Sequence, residues 1–232
     1  MEKQKYAAIV LAAGSGKRMN SQVHKQYLII QDRPVLYYSL KAFEDSAVDE
    51  IVLVVGKGEE KFCRKEIVDK YGISKVKAIV EGGKERYHSV FEGLKQTSDA
   101  DYVLIHDGAR PFVNQEIIRR CMLEVPEYQA CVVGMPVKDT IKIADEEGYA
   151  KQTPDRKNVW MIQTPQTFSY ALIYEAYEEM LKTEDTAITD DAMVLERIKG
   201  KKSKLIEGSY RNIKITTPED LLIANVYLQH PE

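Results

Sequence analysis

The sequence predicts a three-layer α/β fold, Rossmann-like, with a mostly parallel central sheet and a protruding β-arm. Three observations carry that expectation. Short apolar runs alternate with amphipathic helical patterns. The runs are almost continuously apolar, as strands covered on both faces must be. One polar, turn-rich stretch after Val137 then breaks the alternation. With 232 residues, 44% of them hydrophobic, the chain is long enough for one large core.

Taken in chain order, "AAIVLA" at 7–12 is the first strand. The run "AAIVLAA" is too short to span a bilayer. A buried strand explains it better than a signal segment, because it leads straight into glycines and basic residues. Further strands are expected at "IVLVV" (51–55), "KAIV" (77–80), "YVLIH" (102–106) and "ACVVGMPV" (130–137). Between them, "PVLYYSLKAFED" and "ERYHSVFEGLKQ" repeat apolar residues at helical spacing. Residues 114–125 do so most regularly, with Ile117, Ile118, Cys121, Met122 and Val125 on one face and Asn114 as N-cap.

Residues 137–160 are polar and alternating and predict a hairpin arm. Such an arm cannot bury itself alone, so it packs against a partner subunit or covers a site. Helices are expected again at 169–182 and 190–199, and strands at "KLIEG" and "NIKIT". The last helix starts at "TPED", with Thr217 as N-cap and Pro218 in the first position.

A net charge of -3 argues against broad nucleic-acid binding. Cys63, Cys121 and Cys131 are odd in number and lack C-x-x-C spacing, which argues against a disulfide framework or a zinc site. They read as small buried hydrophobes in a protein of the reducing cytosol. His24, His88, His106 and His230 show no metal-ligand spacing, and His106 reads as a packed strand residue.

The chemistry concentrates after the first strand, in "LAAGSGKRM" at 11–19. A P-loop would need glycine where Leu11 stands and serine or threonine where Arg18 stands. A dinucleotide fingerprint starts well at Gly14 and Gly16 but meets Met19 at its third position. What remains is Ala12, Ala13, Gly14, Ser15 and Gly16, followed by Lys17, Arg18 and then Lys25. Glycines let backbone N–H groups approach phosphate oxygens, and the cations neutralise their charge. From these residues two readings stay open: a triphosphate cradle, or a tight turn with a solvated basic end.

"LAAGSGKRM…HKQYL" resembles the signature of nucleotidyltransferases that join a nucleoside triphosphate to a sugar phosphate. "GGKERYHSV", "HDGARPFV", "PVKDTIK", "QTPQTF", "ITDDAMVLE" and "NIKITTPEDL" are similar, in order, to the 2-C-methyl-D-erythritol 4-phosphate cytidylyltransferase family. The resemblance implies one nucleotidyltransferase domain over 1–232, with 137–160 as a dimerisation arm. It implies CMP transfer from CTP to methylerythritol phosphate with release of pyrophosphate, Mg2+ on the triphosphate, and a cytoplasmic homodimer with shared active sites.

By the same resemblance, Arg18 and Lys25 contact the triphosphate, and Gly83, Lys84 and Ser89 surround the base. Asp107 and Gly108 face the ribose or its metal environment, Asp107 directly or through water. Arg156 and Lys214 hold the acceptor phosphate, joined by Thr140, Thr164 and Thr189. For Thr189 the residues also allow a helix cap in "TDD".

Two departures from the resemblance stand out: Gly108 where related sequences often carry alanine, and Arg211 where they often carry an acidic residue, which implies an altered charge balance in the acceptor pocket. A cytidylyltransferase for another polyol phosphate, such as ribitol 5-phosphate, is the nearest rival, and "LAAG" rather than "LAGG" at 11–14 speaks against it. A non-catalytic nucleotide-binding protein would have lost the cations, yet Arg18, Lys25, Arg156 and Lys214 are all present.

Overall fold

Alternate residues of β1 (Tyr6–Ala12) face opposite sides of the central sheet, Ala7 and Ile9 into one core, Ala8 and Val10 into the other. Burial on both faces is why the run carries no polar residue. The structure is a computed structural model that describes residues 3–14, 24–183 and 187–230. Ser15, Gly16, Lys17 and Arg18, named above for the cradle, lie outside the described residues.

The chain continues through two short strands, β2 (Ile29–Ile30) and β3 (Arg33–Pro34), into α1 (Val35–Glu44) and β4 (Glu50–Val55). A short helix, α2 (Glu60–Cys63), and a wider turn over Arg64–Asp69 precede β5 (Val76–Glu81). Then follow α3 (Arg86–Leu94), β6 (Tyr102–Asp107), α4 (Gln115–Tyr128) and β7 (Ala130–Pro136). From Val137 the chain leaves the sheet for a two-stranded antiparallel ribbon, β8 (Ile143–Ala144) and β9 (Ala150–Gln152), exposed throughout. It returns as β10 (Trp160–Ser169), α5 (Tyr170–Met180), α6 (Asp191–Lys199), β11 (Lys204–Glu207) and α7 (Pro218–Gln229).

Seven strands form one sheet in the order β11-β7-β10-β6-β1-β4-β5, and β10 alone runs antiparallel to its neighbours. Leu36, Leu40 and Phe43 of α1 join Ile117, Ile118, Cys121 and Val125 of α4 on one face. Val90 and Leu94 of α3, Tyr177 of α5 and Leu195 of α6 cover the other. These are the three expected layers. Among the described residues no helix is long and apolar enough to cross a membrane.

Four local differences from expectation have physical causes. Helix α4 runs past Val125 to Tyr128 although Pro126 lies inside it. Proline has no N–H for the Met122 carbonyl, and the Tyr6 hydroxyl donates to that carbonyl instead, at 3.2 Å. "NIKIT" is no strand: it is an extended segment bonded irregularly to its surroundings. β10, which the pattern missed, reads as polar because its buried positions include Gln163, Thr164, Gln166 and Thr167. The cap of α6 is Asp190, whose side chain accepts from the Met193 N–H at 2.9 Å, and not Thr189.

Candidate active site

The strand order reverses around β1: β4 continues one side of it, and β6 lies on the other. Open α/β sheets bind ligands at such a switch point, beyond the carboxyl ends of the strands. A cleft of about 430 Å³ opens there. Its lining takes Ala12, Ala13 and Gly14 from the end of β1, and Lys25 from the short turn Lys25–Tyr27. Gly83, Lys84 and Ser89 come from the start of α3, Asp107 from the end of β6, and Lys214 from the segment before α7.

Gly82 and Gly83 are required by close packing, whereas Gly14 has open space where a side chain would stand. A Cβ on Gly82 would lie 2.5 Å from the Ala13 Cβ and 2.6 Å from Ser89 Oγ, so the ends of β1 and β5 meet only because residue 82 has no side chain. Ser89 is buried, and its hydroxyl accepts from the Gly83 N–H at 3.1 Å and donates to the Glu85 carbonyl at 3.3 Å. Glu85 caps α3 reciprocally with His88. The turn is therefore both a helix start and one wall of the cleft. Gly108 has no room for a Cβ either: it would lie 2.8 Å from the fully buried Leu36 and 3.0 Å from the Leu11 carbonyl. A side chain at that position would need Leu36 or the turn to shift.

Asp107 is the electrostatic centre of the floor. Its carboxylate lies 2.6 Å from Lys214 Nζ and 3.2 Å from Arg86 Nε. Burial alone would push its pKa up, but Arg86 and then Lys214 outweigh burial and hold the group well below the usual carboxylate range. Arg86 also makes a two-pronged contact with Asp191, 2.8 Å on each prong, and Tyr177 donates to Asp191 at 2.6 Å. Asp191 is fully buried at the start of α6. Gln166 of β10 docks that helix start by accepting from the N–H groups of Asp191 and Ala192 at 3.0 and 2.9 Å.

Lys214 is aimed by its own segment. Buried Asn212 donates to the Thr164 carbonyl at 2.9 Å, Arg110 donates to the Asn212 carbonyl at 2.8 Å, and the Ile215 N–H donates to Ala109 at 2.8 Å. Bonds on both sides of Lys214 hold it over the cleft.

Thr164 lies under the floor and not in the cleft. It is 4% exposed; its hydroxyl accepts from the Asp107 N–H at 3.1 Å and donates to His106 Nδ1 at 3.0 Å. His106 Nε2 in turn donates to the Arg110 carbonyl at 3.2 Å. Thr164 thus supports Asp107 and has no exposed hydroxyl to offer an acceptor. His106 is a packed neutral residue, its pKa lowered to about 4 by burial.

A pH dependence follows from His106. The unfolded chain takes up a proton at the ordinary histidine value of 6.5, and the folded chain does not until about 4. Stability is therefore full above 6.5 and is expected to fall by about 3 kcal/mol as pH drops through that window. Asp107, with its depressed pKa, adds a further loss below the usual carboxylate value. Denaturant melts from pH 7 to 4 check this: His106→Asn should flatten the slope, and an unchanged slope in the folded variant refutes the assignment.

Arg156 and Thr140 lie near the ends of the ribbon segment, both exposed, with Arg156 donating to the Lys138 carbonyl at 3.2 Å. Neither lines the cleft of its own chain, and neither does exposed Thr189, whose hydroxyl lies 3.7 Å from Met193 Sδ. Arg211 also points elsewhere: it donates to the carbonyls of Tyr227 and His230 at 2.7 and 2.6 Å and stacks on the Tyr227 ring. It secures the end of α7 and does not line the cleft. Arg86, Asp191 and Gln166 are the site residues that sequence reasoning missed. An arginine in the first turn of a helix, where the dipole disfavours cations, signals a dedicated carboxylate partner.

Among the described residues no three His, Cys, Asp or Glu side chains converge to hold a metal. Both Asp107 oxygens already face cations. The described residues thus form no resident metal cage.

A cleft lined by glycine turns and lysines, set where the strand order reverses, fits a class: α/β proteins that bind nucleotides across the ends of their strands. The family model described as 2-C-methyl-D-erythritol 4-phosphate cytidylyltransferase matches residues 6–230, and the chain belongs to that family. Relatives of that name from Lachnospira eligens and Lachnoclostridium phytofermentans are 54% and 51% identical, over 96% and 97% of this chain and 98% and 97% of theirs. The crystal structure of 4-diphosphocytidyl-2C-methyl-D-erythritol synthase from Anaerococcus prevotii is similar at a TM-score of 0.86 and 38% identity, covering 98% of this chain and 97% of that one.

Proposed function

We propose that the chain transfers CMP from CTP to 2-C-methyl-D-erythritol 4-phosphate, giving 4-diphosphocytidyl-2-C-methyl-D-erythritol and pyrophosphate in non-mevalonate isoprenoid biosynthesis. The observation that carries this reading is the family match over 6–230. The cleft at the switch point has the matching character, with glycine turns on one side and Lys25 and Lys214 reaching in.

An acceptor phosphate oxygen attacks the α-phosphorus of CTP, and pyrophosphate leaves with the electrons of the broken P–O bond. Charge grows on the oxygens around phosphorus, so the chain's contribution is positioning and fixed positive charge. Lys25 and Arg18 serve the triphosphate, with the backbone of 12–16 as its cradle. Gly83, Lys84 and Ser89 form the base pocket. Lys214 bridges Asp107 and the acceptor phosphate. Mg2+ or another divalent cation arrives on the triphosphate, whose charge it neutralises, in keeping with the reluctance of that ion to shed water for an all-protein cage.

Arg156, Thr140 and Thr189 meet the acceptor in this reading, and the exposed ribbon carries Arg156 and Thr140 to the site of a second copy. The assembly is a cytoplasmic homodimer. Pyrophosphate release with CTP and Mg2+, comparing methylerythritol 4-phosphate with ribitol 5-phosphate, tests the reaction. Release only with the first supports it. Release only with ribitol 5-phosphate, or with neither although CTP binds, overturns it.

A further inference from the structure

Glu59, at the start of α2, is absent from every role assigned so far, yet it organises the segment that presents Lys25. Its Oε2 accepts from the Tyr27 hydroxyl at 2.7 Å, and its Oε1 lies 2.7 Å from His24 Nδ1, a close contact without hydrogen-bond geometry. One carboxylate thus meets the chain on both sides of Lys25, by a hydrogen bond at Tyr27 and by contact at His24. The Tyr27 ring is packed edge-on against Phe62, and burial, then Cys63 and Glu59, push the pKa of its hydroxyl up, so it stays a donor. From the other side, buried Gln26 donates to the Ala12 carbonyl at 2.5 Å. Lys25 is therefore suspended between the ends of β1 and β4.

The end of β4 is built to receive this carboxylate. The Gly56 N–H donates to Glu59 Oε2 at 3.0 Å. A Cβ on Gly56 would lie 2.6 Å from the same oxygen, so the residue after β4 leaves space that the carboxylate fills.

We propose that Glu59 is a positioning residue for Lys25, holding it over the cleft through Tyr27, with His24 packed against the same carboxylate. This rests on the reading that Lys25 meets the triphosphate. Misplacing a charge by about 1 Å is worth up to about 100-fold in rate. Glu59→Gln is expected to lower kcat/KM for CTP by about 10- to 100-fold and to leave KM for the acceptor unchanged. Gly56→Ala, which displaces the carboxylate without deleting it, should reproduce that pattern. Tyr27→Phe should show a smaller version.

The deciding measurement is the CTP dissociation constant in a double-mutant cycle with Lys25→Ala. If Glu59 acts through Lys25, Glu59→Gln has no further effect once Lys25 is gone, whereas a general structural role adds in full. Full additivity, or unchanged CTP parameters in both Glu59→Gln and Gly56→Ala, overturns the proposal. A Lys25→Ala enzyme with intact CTP binding and turnover would instead sink the reading of Lys25 itself.

Discussion

The Asp191→Asn variant is expected to lose about 1.5–3 kcal/mol of stability, because it removes the charge of a fully buried carboxylate from its pair with the partly exposed Arg86. Asp191 is fully buried and receives both prongs of Arg86 together with the Tyr177 hydroxyl. Asparagine keeps the shape but removes the charge that holds the pKa of Arg86 above its ordinary value despite burial. Arg86 would then depend on Asp107 alone, and the floor of the cleft would carry an excess cation. Urea melts at neutral pH measure the loss. Adding Arg86→Met should recover part of it, since the stranded charge is then gone as well. A loss below about 1 kcal/mol in the single variant, the size of an exposed pair, would show that solvent reaches Asp191 after all.

The second large effect concerns rate. Lys214→Met is expected to lower turnover by about 100- to 1,000-fold, the usual consequence of removing one fixed charge from a transition state. Lys214 sits 2.6 Å from Asp107 with its side chain 36% exposed, so it is placed at the cleft surface and not locked in the core. Arg86 continues to pair with Asp107 in the variant, and the melting temperature should move little. CTP binding should persist, separating this variant from one in Lys25. Initial rates of pyrophosphate release, with binding measured alongside, decide it. Turnover within a few-fold of the parent enzyme would remove Lys214 from the chemistry.

Much of the fold was legible in the chain because the parallel strands are buried on both faces. Residues 7–12 and 51–55 could be nothing else, and both are strands with their apolar side chains in the core. β10 was illegible for the opposite reason. Its buried Gln163 and Gln166 bond Asn212 and the start of α6, so their side chains serve distant segments and not a hydrophobic face. A pattern of polar residues cannot announce partners that are 20 to 50 positions away. The same holds for Arg86, whose carboxylates come from β6 and α6.

By itself the sequence determined the layers, the glycine turns at the strand ends and the cations available to a phosphate, because these depend on local period and residue type. Only the tertiary structure decided which groups meet. It placed Thr164 beneath Asp107 and turned Arg211 toward the end of α7. It also set Glu59 beside His24 and Tyr27, which flank Lys25. The physical reason is range: backbone preference and burial act on neighbours in sequence, whereas charge and hydrogen bonding act on neighbours in space.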